Sequence, residues 1–284
     1  MNYSRVIQAG LMTTFQDGGR HGFSFYAIPP SGPLDRVAAR TANALVGNAL
    51  DATVLECTYT PPRILFLDNA IVGLAGADMD WHIDDLPVPR GQTLLVPAGS
   101  ELWGNPAVAG CRSYLAIAGE IDTTRDLGST ACHVLAGLGG NVGRALRPGD
   151  QITWRPSGFD IHVELNLHVA STTDKLNVLK GPEFDYLLPE SQNELTTGLF
   201  SITPESNRMG ARLSGPQLKM RASLRDSLPV LPGMIQLPPA GNCIVVLQDG
   251  QTTGGYPRIA YLPQESLNRF CQLRIHEPFG FQFQ

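Results

Sequence analysis

The sequence lacks several features that would place it directly in a large functional class. Its 21 lysines and arginines are outnumbered by 26 acidic residues, so the formal net charge is -5 and there is no basic field for nucleic acid or an anionic membrane. No apolar run approaches the roughly 20 residues that cross a bilayer, and the first residues lack the apolar core of a signal peptide. We therefore expect a cytoplasmic protein whose partners are small molecules or other proteins.

Nucleotide-binding and hydrolase motifs are also missing. There is no Walker A sequence, no Gly-x-Gly-x-x-Gly after a strand and no Gly-x-Ser-x-Gly elbow. The glycine cluster from Ala136 to Gly143 has neither the lysine nor the strand and helix setting of a phosphate loop, so it predicts an ordinary loop.

The sequence offers no recognisable metal or covalent cofactor site. Its five cysteines are widely spaced without a Cys-x-x-Cys pair, and the six histidines show no metal-ligand spacing, so no metal is expected and the cysteines are interpreted mainly as small core residues. Biotin attachment needs a lysine on a tight turn. Lys175, Lys180 and Lys219 do not have that setting, so no covalently bound cofactor is expected.

Short strands separated by turns are what the sequence does contain. With 30 glycines and 22 prolines spread through 284 residues, this pattern favours a mainly β fold with a few short helices, organised as two β-barrel domains. A Pro/Gly turn near Trp154–Gly158 suggests domains at 1–156 and 157–284, with strand exchange between them left open. Strands are predicted at Arg5–Ile7, Thr53–Thr58, Arg63–Leu67, Ala70–Leu74, Thr93–Val96, Ser113–Ile117, Gln151–Trp154, Asp160–Leu167, Lys175–Leu179, Leu213–Leu218, Met234–Leu237, Ile244–Leu247 and Leu273–His276.

Helical spacing is clearest in the first half of the chain. Apolar residues recur at helical intervals after Asp35, a good N-cap, and the pattern stops at Gly47-Asn48. A second helix-like run follows at Gln264–Leu273. Asp78–Pro87 has the pattern of a hairpin whose turn uses Asp84-Asp85.

Two segments with the tripeptide Gln-Asp-Gly follow apolar strands and precede these two helical runs. Gln16–Phe23 is the first, and Gln248–Pro257 is the second. Their carboxamides, hydroxyls and carboxylates could position a small polar ligand, although Asp-Gly is also a common hairpin turn. The pairing suggests that the chain contains two versions of one unit.

Five longer motifs run through the chain: Ala9–Gly22, Asn43–Asn48, Ser113–Gly119, Ser206–Gly210 and Gln251–Pro257. Together they resemble the family of the 5-oxoprolinase C subunit, also called allophanate hydrolase subunit 2, KipA-like and biotin-dependent carboxyltransferase. The motifs occur in the order of that family and cover nearly the whole chain.

The resemblance implies two cyclophilin-like β-barrels and a protein that works in a complex. Members usually act beside the A and B subunits of 5-oxoprolinase, and the complex cleaves 5-oxoproline to glutamate at the expense of ATP. The absence of a nucleotide motif here suggests that the partners handle the ATP. Relatives transfer a carboxyl group from carboxybiotin to urea, and a KipA-like regulator that binds a homologue of the B subunit is a third alternative. All three functions stay open at the level of sequence.

Cleavage of 5-oxoproline and carboxyl transfer to urea, the two enzymatic activities that the resemblance implies, both require a small amide to be held and polarised. Asp17 or Asp35 could accept a proton, and Arg20, Arg112 or Arg208 could stabilise negative charge that develops on the amide oxygen. The alternative for Asp35 is a helix cap, and for Arg208 an internal ion pair. The predicted substrate-binding residues are Gln16, Asn43, Arg112, Arg208, Gln251, Thr252, Thr253 and Tyr256.

One stretch departs from the family pattern. Members often have Gly-Ser-x-Ser-Thr-Asp-Leu before the glycine cluster, whereas this chain has Ala131, Cys132 and His133 in the second half of that motif, and Glu120 stands where glycine is usual. The departure leaves the substrate open.

Overall fold

The computed structural model describes residues 1–158, 163–164, 175–221 and 226–284. The chain divides into two compact units, the first made of Met1–Arg20 with Ser31–Val169 and the second of His21–Pro30 with Ala170–Gln284. The limits 1–156 and 157–284, and strand exchange between the two domains, stay predictions. Among the described residues, no helix has both the length and the apolar character needed to span a membrane.

The first unit is built on two antiparallel sheets. Seven strands are ordered β11-β12-β1-β4-β9-β6-β7 and five are ordered β2-β3-β10-β5-β8, with these bounds. The strands are β1 (Asn2–Gln8), β2 (Met12–Gln16), β3 (Val54–Thr58), β4 (Arg63–Phe66), β5 (Ala70–Asp78), β6 (His82–Ile83), β7 (Leu86–Pro87), β8 (Thr93–Val96), β9 (Glu101–Trp103), β10 (Ala109–Ile117), β11 (Gly119–Asp122) and β12 (Gln151–Pro156).

Side chains from both sheets join in one hydrophobic core. Val6, Phe66 and Trp154 come from the larger sheet, and Leu55 and Leu115 from the smaller one. Alternate residues of each strand point inward because the side-chain period of a strand is two. Complete burial of such side chains contributes about 1.5–3 kcal/mol each, and this core is the main source of stability in the unit.

Helix α1 (Arg36–Leu45) covers the other face of the five-stranded sheet. It packs through alanines, and a Cβ on Gly73 would lie 2.5 Å from the carbonyl oxygen of Ala42, so only glycine allows the helix to come this close. The predicted cap is confirmed, because Asp35 accepts a hydrogen bond from the Ala38 N–H at 3.0 Å. A second element, α2 (Gly140–Gly143), is a single turn with left-handed φ at Asn141 and Val142.

The second unit has a seven-stranded sheet ordered β14-β15-β18-β17-β20-β13-β21 and a two-stranded β16-β19 sheet. β13 and β21 run parallel, unlike the other pairs. A cluster that includes Phe200, Phe270, Phe279 and Phe281 forms part of its core. The elements are β13 (Leu176–Lys180), α3 (Pro189–Thr197), β14 (Ser201–Ile202), β15 (Gly210–Ser214), β16 (Leu228–Pro229), β17 (Met234–Gln236), β18 (Ile244–Val246), β19 (Thr253–Gly254), β20 (Arg258–Tyr261), α4 (Gln264–Phe270) and β21 (Phe281–Phe283).

The mainly β architecture with few helices is confirmed, as is the hairpin that turns at Asp84-Asp85. The strand predicted at Leu273–His276 is wrong, because only Ile275 forms a single bridge and His276 adopts a left-handed φ of 66°. The strand predicted at Leu213–Leu218 is displaced to β15. The strand predicted at Asp160–Leu167 lies largely outside the described residues.

Candidate functional site

Three residues of the first Gln-Asp-Gly segment hold one loop of the same unit. We name Ser129–Cys132 the clasped loop. The Gln16 amide donates to the Cys132 carbonyl at 3.1 Å, and the Arg20 Nη2 donates to the Ala131 carbonyl at 2.5 Å. Asp17 accepts from the Ser129 hydroxyl at 2.5 Å and from the Thr130 N–H at 2.8 Å. The segment therefore contacts, across more than 100 residues of sequence, the loop in which the chain departs from the motif of the family that it resembles.

The Asp17 carboxylate is held mainly by neutral donors. Its Oδ1 also accepts the Gly19 N–H at 3.0 Å, and its nearest recorded cation is Arg125, whose Nη1 lies 3.9 Å from Oδ2. A carboxylate that accepts several hydrogen bonds is fixed in orientation. Asp17 thus organises the clasped loop, and its role as a base stays a prediction.

Gln16 presents an acceptor that the described part of the chain does not satisfy. The side chain is fully buried, its Nε2 donates to Thr14 and Cys132, and its Oε1 lacks a hydrogen-bond partner. Flipping the amide would place Oε1 against the Cys132 carbonyl, where two acceptors would meet, so the assigned orientation is the favourable one. An unpaired buried acceptor is costly, and an amide N–H from a ligand or a water molecule would satisfy it.

Gly139, in the glycine cluster, lies beside the buried Arg20 guanidinium. A Cβ on Gly139 would lie 2.1 Å from the Ala131 carbonyl oxygen and 3.0 Å from Arg20 Nη2, and Gly139 has a left-handed φ of 85°. Glycine is therefore required at this position. The sequence predicted an ordinary loop here, and the structure places it against a predicted catalytic residue.

A second polar group lies on the helix-covered face of the five-stranded sheet. Glu56 Oε2 accepts the Tyr114 hydroxyl at 2.9 Å and the Leu34 N–H at 2.8 Å, and the Tyr114 oxygen accepts the Asp35 N–H at 2.8 Å. This arrangement sets the backbone of Asp35 while its side chain caps α1. The capping alternative for Asp35 is thus confirmed, and its catalytic role stays a prediction.

Sequence reasoning missed Glu56 and Tyr114. Burial, followed by the negative charge of Glu56, raises the pKa of Tyr114 well above its usual value, so the phenol stays protonated and donates to the carboxylate. A signal was present in the sequence, because a glutamate within the otherwise apolar Val54–Cys57 run must find hydrogen-bond donors when it is buried.

The remaining predicted residues of this unit have separate surroundings. The Asn43 amide donates to the carbonyls of Leu50 and Ala52 at 3.2 and 2.9 Å and accepts from Asn48 at 3.3 Å. Those bonds brace the chain after α1. Arg112 lies two residues before Tyr114 on β10, and its Nη1 contacts the Cys111 sulfur at 2.9 Å.

In the second unit, Arg208 forms a buried ion pair with Asp249 of the second Gln-Asp-Gly segment. Arg208 Nε lies 2.8 Å from Asp249 Oδ2, and Nη2 lies 3.3 Å from Oδ1. The bond is bidentate, which matches the planar guanidinium to the carboxylate. The alternative in which Arg208 pairs internally is confirmed.

The rest of the second segment is more exposed. The Gln251 amide donates to the carboxamide of buried Gln236 at 3.2 Å, while Thr253 and Tyr256 are largely exposed. The Thr252 carbonyl accepts the Val230 N–H at 2.9 Å, which ties the loop to its own sheet. The predicted substrate contacts of these four residues stay predictions.

An ion pair that sequence reasoning missed lies beside this segment. Arg258 donates to both oxygens of Glu183, at 2.9 and 2.7 Å, and to the Pro229 carbonyl at 2.9 Å. The hydrogen bonds from Arg258 lower the pKa of Glu183. Arg258 therefore links β20 to the strand that pairs with Thr253-Gly254.

The cysteines and the other potential metal ligands were compared with the requirements of a reactive thiol and a metal site. All five cysteines are buried thiols, and burial raises the pKa of Cys243 to about 12. Among the side chains that the structure describes, no cluster of three or more histidine, cysteine, aspartate or glutamate residues is placed to bind a metal ion.

Known proteins match this chain over nearly its whole length. The family described as the carboxyltransferase domain, subdomain A and B, matches residues 26–283. The C subunit of 5-oxoprolinase from Escherichia coli K12 is 37% identical over 279 residues, which cover 98% of this chain and 90% of that protein. The urea amidolyase of Lachancea kluyveri is 30% identical over 97% of this chain, but the match spans only 16% of that protein.

Solved structures also match nearly the whole of this chain. The crystal structure of Kluyveromyces lactis urea amidolyase has a TM-score of 0.90 and 26% identity over 98% of this chain, and the match covers 18% of that larger protein. The crystal structure of TTHA0988 has a TM-score of 0.89 and 31% identity over 99% of this chain, with 55% of that protein covered. The chain therefore belongs to the carboxyltransferase-domain family that includes the C subunits of 5-oxoprolinase and a segment of the urea amidolyases.

Proposed function

We propose that this chain is the C subunit of an ATP-dependent 5-oxoprolinase, which cleaves 5-oxoproline to glutamate. The observation that carries the proposal is the 37% identity to a known C subunit of this enzyme, because the match covers nearly all of both proteins. The urea amidolyases match over a small part of their length, so their names say less about a chain of this size.

The complete enzyme would need homologues of the A and B subunits. ATP is used by the assembled complex, and this chain carries no covalently bound cofactor in the proposed arrangement. We further propose that each unit is a cyclophilin-like barrel, with domain limits near 156 and 157. The cytoplasmic location stays a prediction.

The first unit contributes polarising groups to the amide site in this proposal. Gln16 Oε1 accepts the amide N–H of 5-oxoproline, and the Arg20 guanidinium stabilises negative charge on the lactam oxygen. Asp17 or Asp35 serves as the proton acceptor. Asn43 and Arg112 complete the predicted set from this unit, with Asn43 acting through the loop that it braces.

The predicted substrate-binding residues of the second unit lie in or near the loop that follows its Gln-Asp-Gly tripeptide. Gln251, Thr252, Thr253 and Tyr256 contact substrate, and the Arg208–Asp249 ion pair fixes the start of the loop. Carboxamides and hydroxyls suit a small amide because they supply both donors and acceptors.

Reconstitution tests this function directly. The purified chain, the A and B homologues of the same organism, and all combinations of them are assayed for glutamate and ADP formed from 5-oxoproline and ATP. Turnover is expected only when all three proteins are present, because the sequence of this chain has no nucleotide-binding motif. Full turnover by the single chain, or none by the three together, would contradict the proposal.

A carboxyltransferase component is the second candidate, favoured by the family description and the urea amidolyase relatives. In that function a biotin carried by another protein delivers its carboxyl group to urea or another amide. Transfer of labelled carboxyl from carboxybiotin to urea, blocked by avidin, would favour it over the first proposal. Binding of the B homologue without either turnover would favour a KipA-like regulator.

A further inference from the structure

Ser31, a serine of the first unit, buries a hydroxyl that takes no part in the contacts described above. The residue is 0% exposed, and its Oγ has no hydrogen-bond partner among the residues that the structure describes. A buried hydroxyl without a partner is costly, because it gives up its hydrogen bonds to water and receives none in return. Packing within this chain therefore does not explain why the residue is a serine.

The backbone of Ser31 adds a second cost. Its φ of 56° lies in the left-handed region, which glycine adopts without a steric penalty and serine rarely adopts. A glycine here would remove both the backbone strain and the unpaired hydroxyl. Strained residues of this kind persist mainly at ligand-binding sites, where the surrounding structure holds them in place. The hydroxyl is the one property that glycine could not supply.

The segment that follows Ser31 is held rigidly by the buried Glu56–Tyr114 group. The Leu34 N–H donates to Glu56 Oε2 at 2.8 Å, and the Asp35 N–H donates to the Tyr114 oxygen at 2.8 Å. All residues from 31 to 34 are buried. These bonds fix the backbone just after Ser31 and so help to maintain its strained conformation.

Ser31 also lies close to the first Gln-Asp-Gly segment. A Cβ on Gly32 would lie 3.0 Å from the Asp17 carbonyl oxygen and 3.5 Å from the Gly19 Cα, so the two backbones are in contact there. Ser31 precedes Gly32, and Gln16 precedes Asp17. Each is therefore one residue away from this contact.

The unpaired groups of Ser31 and Gln16 complement each other toward an amide. Gln16 Oε1 is only an acceptor, whereas the Ser31 hydroxyl can donate. A lactam presents one N–H donor and one carbonyl acceptor. If Gln16 Oε1 takes the N–H, the carbonyl oxygen is the group that remains for the hydroxyl.

We infer that the Ser31 hydroxyl donates a hydrogen bond to the lactam oxygen of the substrate, beside Arg20, while Gln16 Oε1 accepts the lactam N–H. The inference rests on the proposed function, which supplies the lactam. A carbonyl oxygen accepts two hydrogen bonds and becomes more negative as the amide bond is broken. A donor fixed in position there stabilises the transition state more than the bound substrate.

Kinetics of the reconstituted complex test the inference with two variants of Ser31 and one control. Ser31→Ala is expected to lower kcat/KM about 10- to 100-fold, mostly through kcat, without lowering the melting temperature of the chain. Ser31→Gly is expected to lose as much activity, yet to raise the melting temperature by about 2 °C because it relieves the backbone. Ser4→Ala removes another fully buried hydroxyl, which donates to the Ile152 carbonyl at 3.4 Å, and is expected to leave kcat/KM unchanged.

A binding measurement on the full chain alone makes the test independent of ATP and the partners. Saturation-transfer NMR is recorded with 5-oxoproline and with 2-pyrrolidinone, which keeps the lactam and lacks the carboxylate. Both probes are expected to bind the wild type and the Ser4→Ala variant. Ser31→Ala is expected to weaken the binding of both probes, because they share the lactam oxygen.

The outcomes separate this inference from the proposed function. If the wild-type complex is active and Ser31→Ala leaves kcat/KM unchanged, the inference is overturned and the proposed function stands. The same holds if Ser31→Ala lowers the melting temperature with normal kinetics, which would assign the hydroxyl to the scaffold. If the wild-type complex is inactive but Ser31→Ala weakens lactam binding, the proposed function fails and the Ser31 contact stands. If the wild type shows neither turnover nor lactam binding, both are wrong.

Discussion

The two units place the same tripeptide, Gln-Asp-Gly, after a buried strand and hold its aspartate in different ways. Asp17 is bound by a hydroxyl and two backbone N–H groups, whereas Asp249 is bound by the guanidinium of Arg208. Both carboxylates are buried. The first arrangement holds a loop mainly through neutral donors, while the second pairs the carboxylate with a buried cation.

One local sequence therefore occurs in two different electrostatic environments. In the first unit the carboxylate holds the clasped loop, whose Cys132 carbonyl also accepts a hydrogen bond from the buried amide of Gln16. In the second unit the ion pair is a structural anchor, and the polar groups that remain available follow it in the loop, beginning with Gln251.

The largest effect is expected from breaking the ion pair of the second unit. Asp249→Asn should lower the free energy of unfolding by about 3–5 kcal/mol, because it leaves the Arg208 charge buried without its counterion. Urea denaturation measures the change. The double substitution Arg208→Met with Asp249→Leu should recover most of the loss, and a double variant no better than the single one would show that the pair is not the cause.

A smaller loss is expected for the matching substitution in the first unit. Asp17→Asn should cost about 1–2 kcal/mol, since the asparagine oxygen keeps one acceptor and no buried cation loses its partner. Hydrogen exchange at the Thr130 amide should become faster, because its acceptor is lost or weakened. Equal losses for Asp17→Asn and Asp249→Asn would remove the proposed difference between the two sites.

A third effect on the free energy of unfolding depends on pH and comes from the Arg144–Asp150 ion pair of the first unit. The hydrogen bond from Arg144 lowers the pKa of Asp150 from 3.8 to about 2. Because the folded pKa is the lower one, this stabilisation is complete above about pH 4 and is lost as the pH falls toward 2. Solvent screening limits it to about 1 kcal/mol. Asp150→Asn should therefore cost about that much at pH 5 and almost nothing at pH 2, as measured by urea denaturation at each pH.

The smallest effect on stability is expected at the exposed end of the second segment. Gln251→Ala should change the free energy of unfolding by less than about 0.5 kcal/mol. If Gln251 binds substrate, turnover of the assembled complex should fall by the equivalent of roughly 1–3 kcal/mol in transition-state stabilisation. Gln217→Ala, at another glutamine of this unit, serves as the control. A lower melting temperature with normal turnover would assign Gln251 to the scaffold.

Elements that depend on neighbouring residues were predictable from the sequence. Helix α1 was recognised because its apolar spacing and its Asp35 cap involve contacts three or four residues apart. Helix α3 was missed because it begins at Pro189 without a side-chain cap and buries only Ser191 and Leu195, so its apolar pattern is weak. The β15 boundary was misplaced because the strand ends before Gly215, where φ is 154°.

In the candidate site, too, only the features that depend on neighbouring residues were predictable from the sequence. Alternation, capping and turn chemistry are local, so the sequence alone indicated the mainly β fold, the position of α1 and the segments that carry Gln16, Asp17, Arg20 and Gln251. The folded structure was needed to show that Asp17 holds Ser129, 112 residues away, and that Glu56 holds Tyr114, 58 residues away. Strand register and loop packing bring these partners together, and no spacing within a short window encodes them.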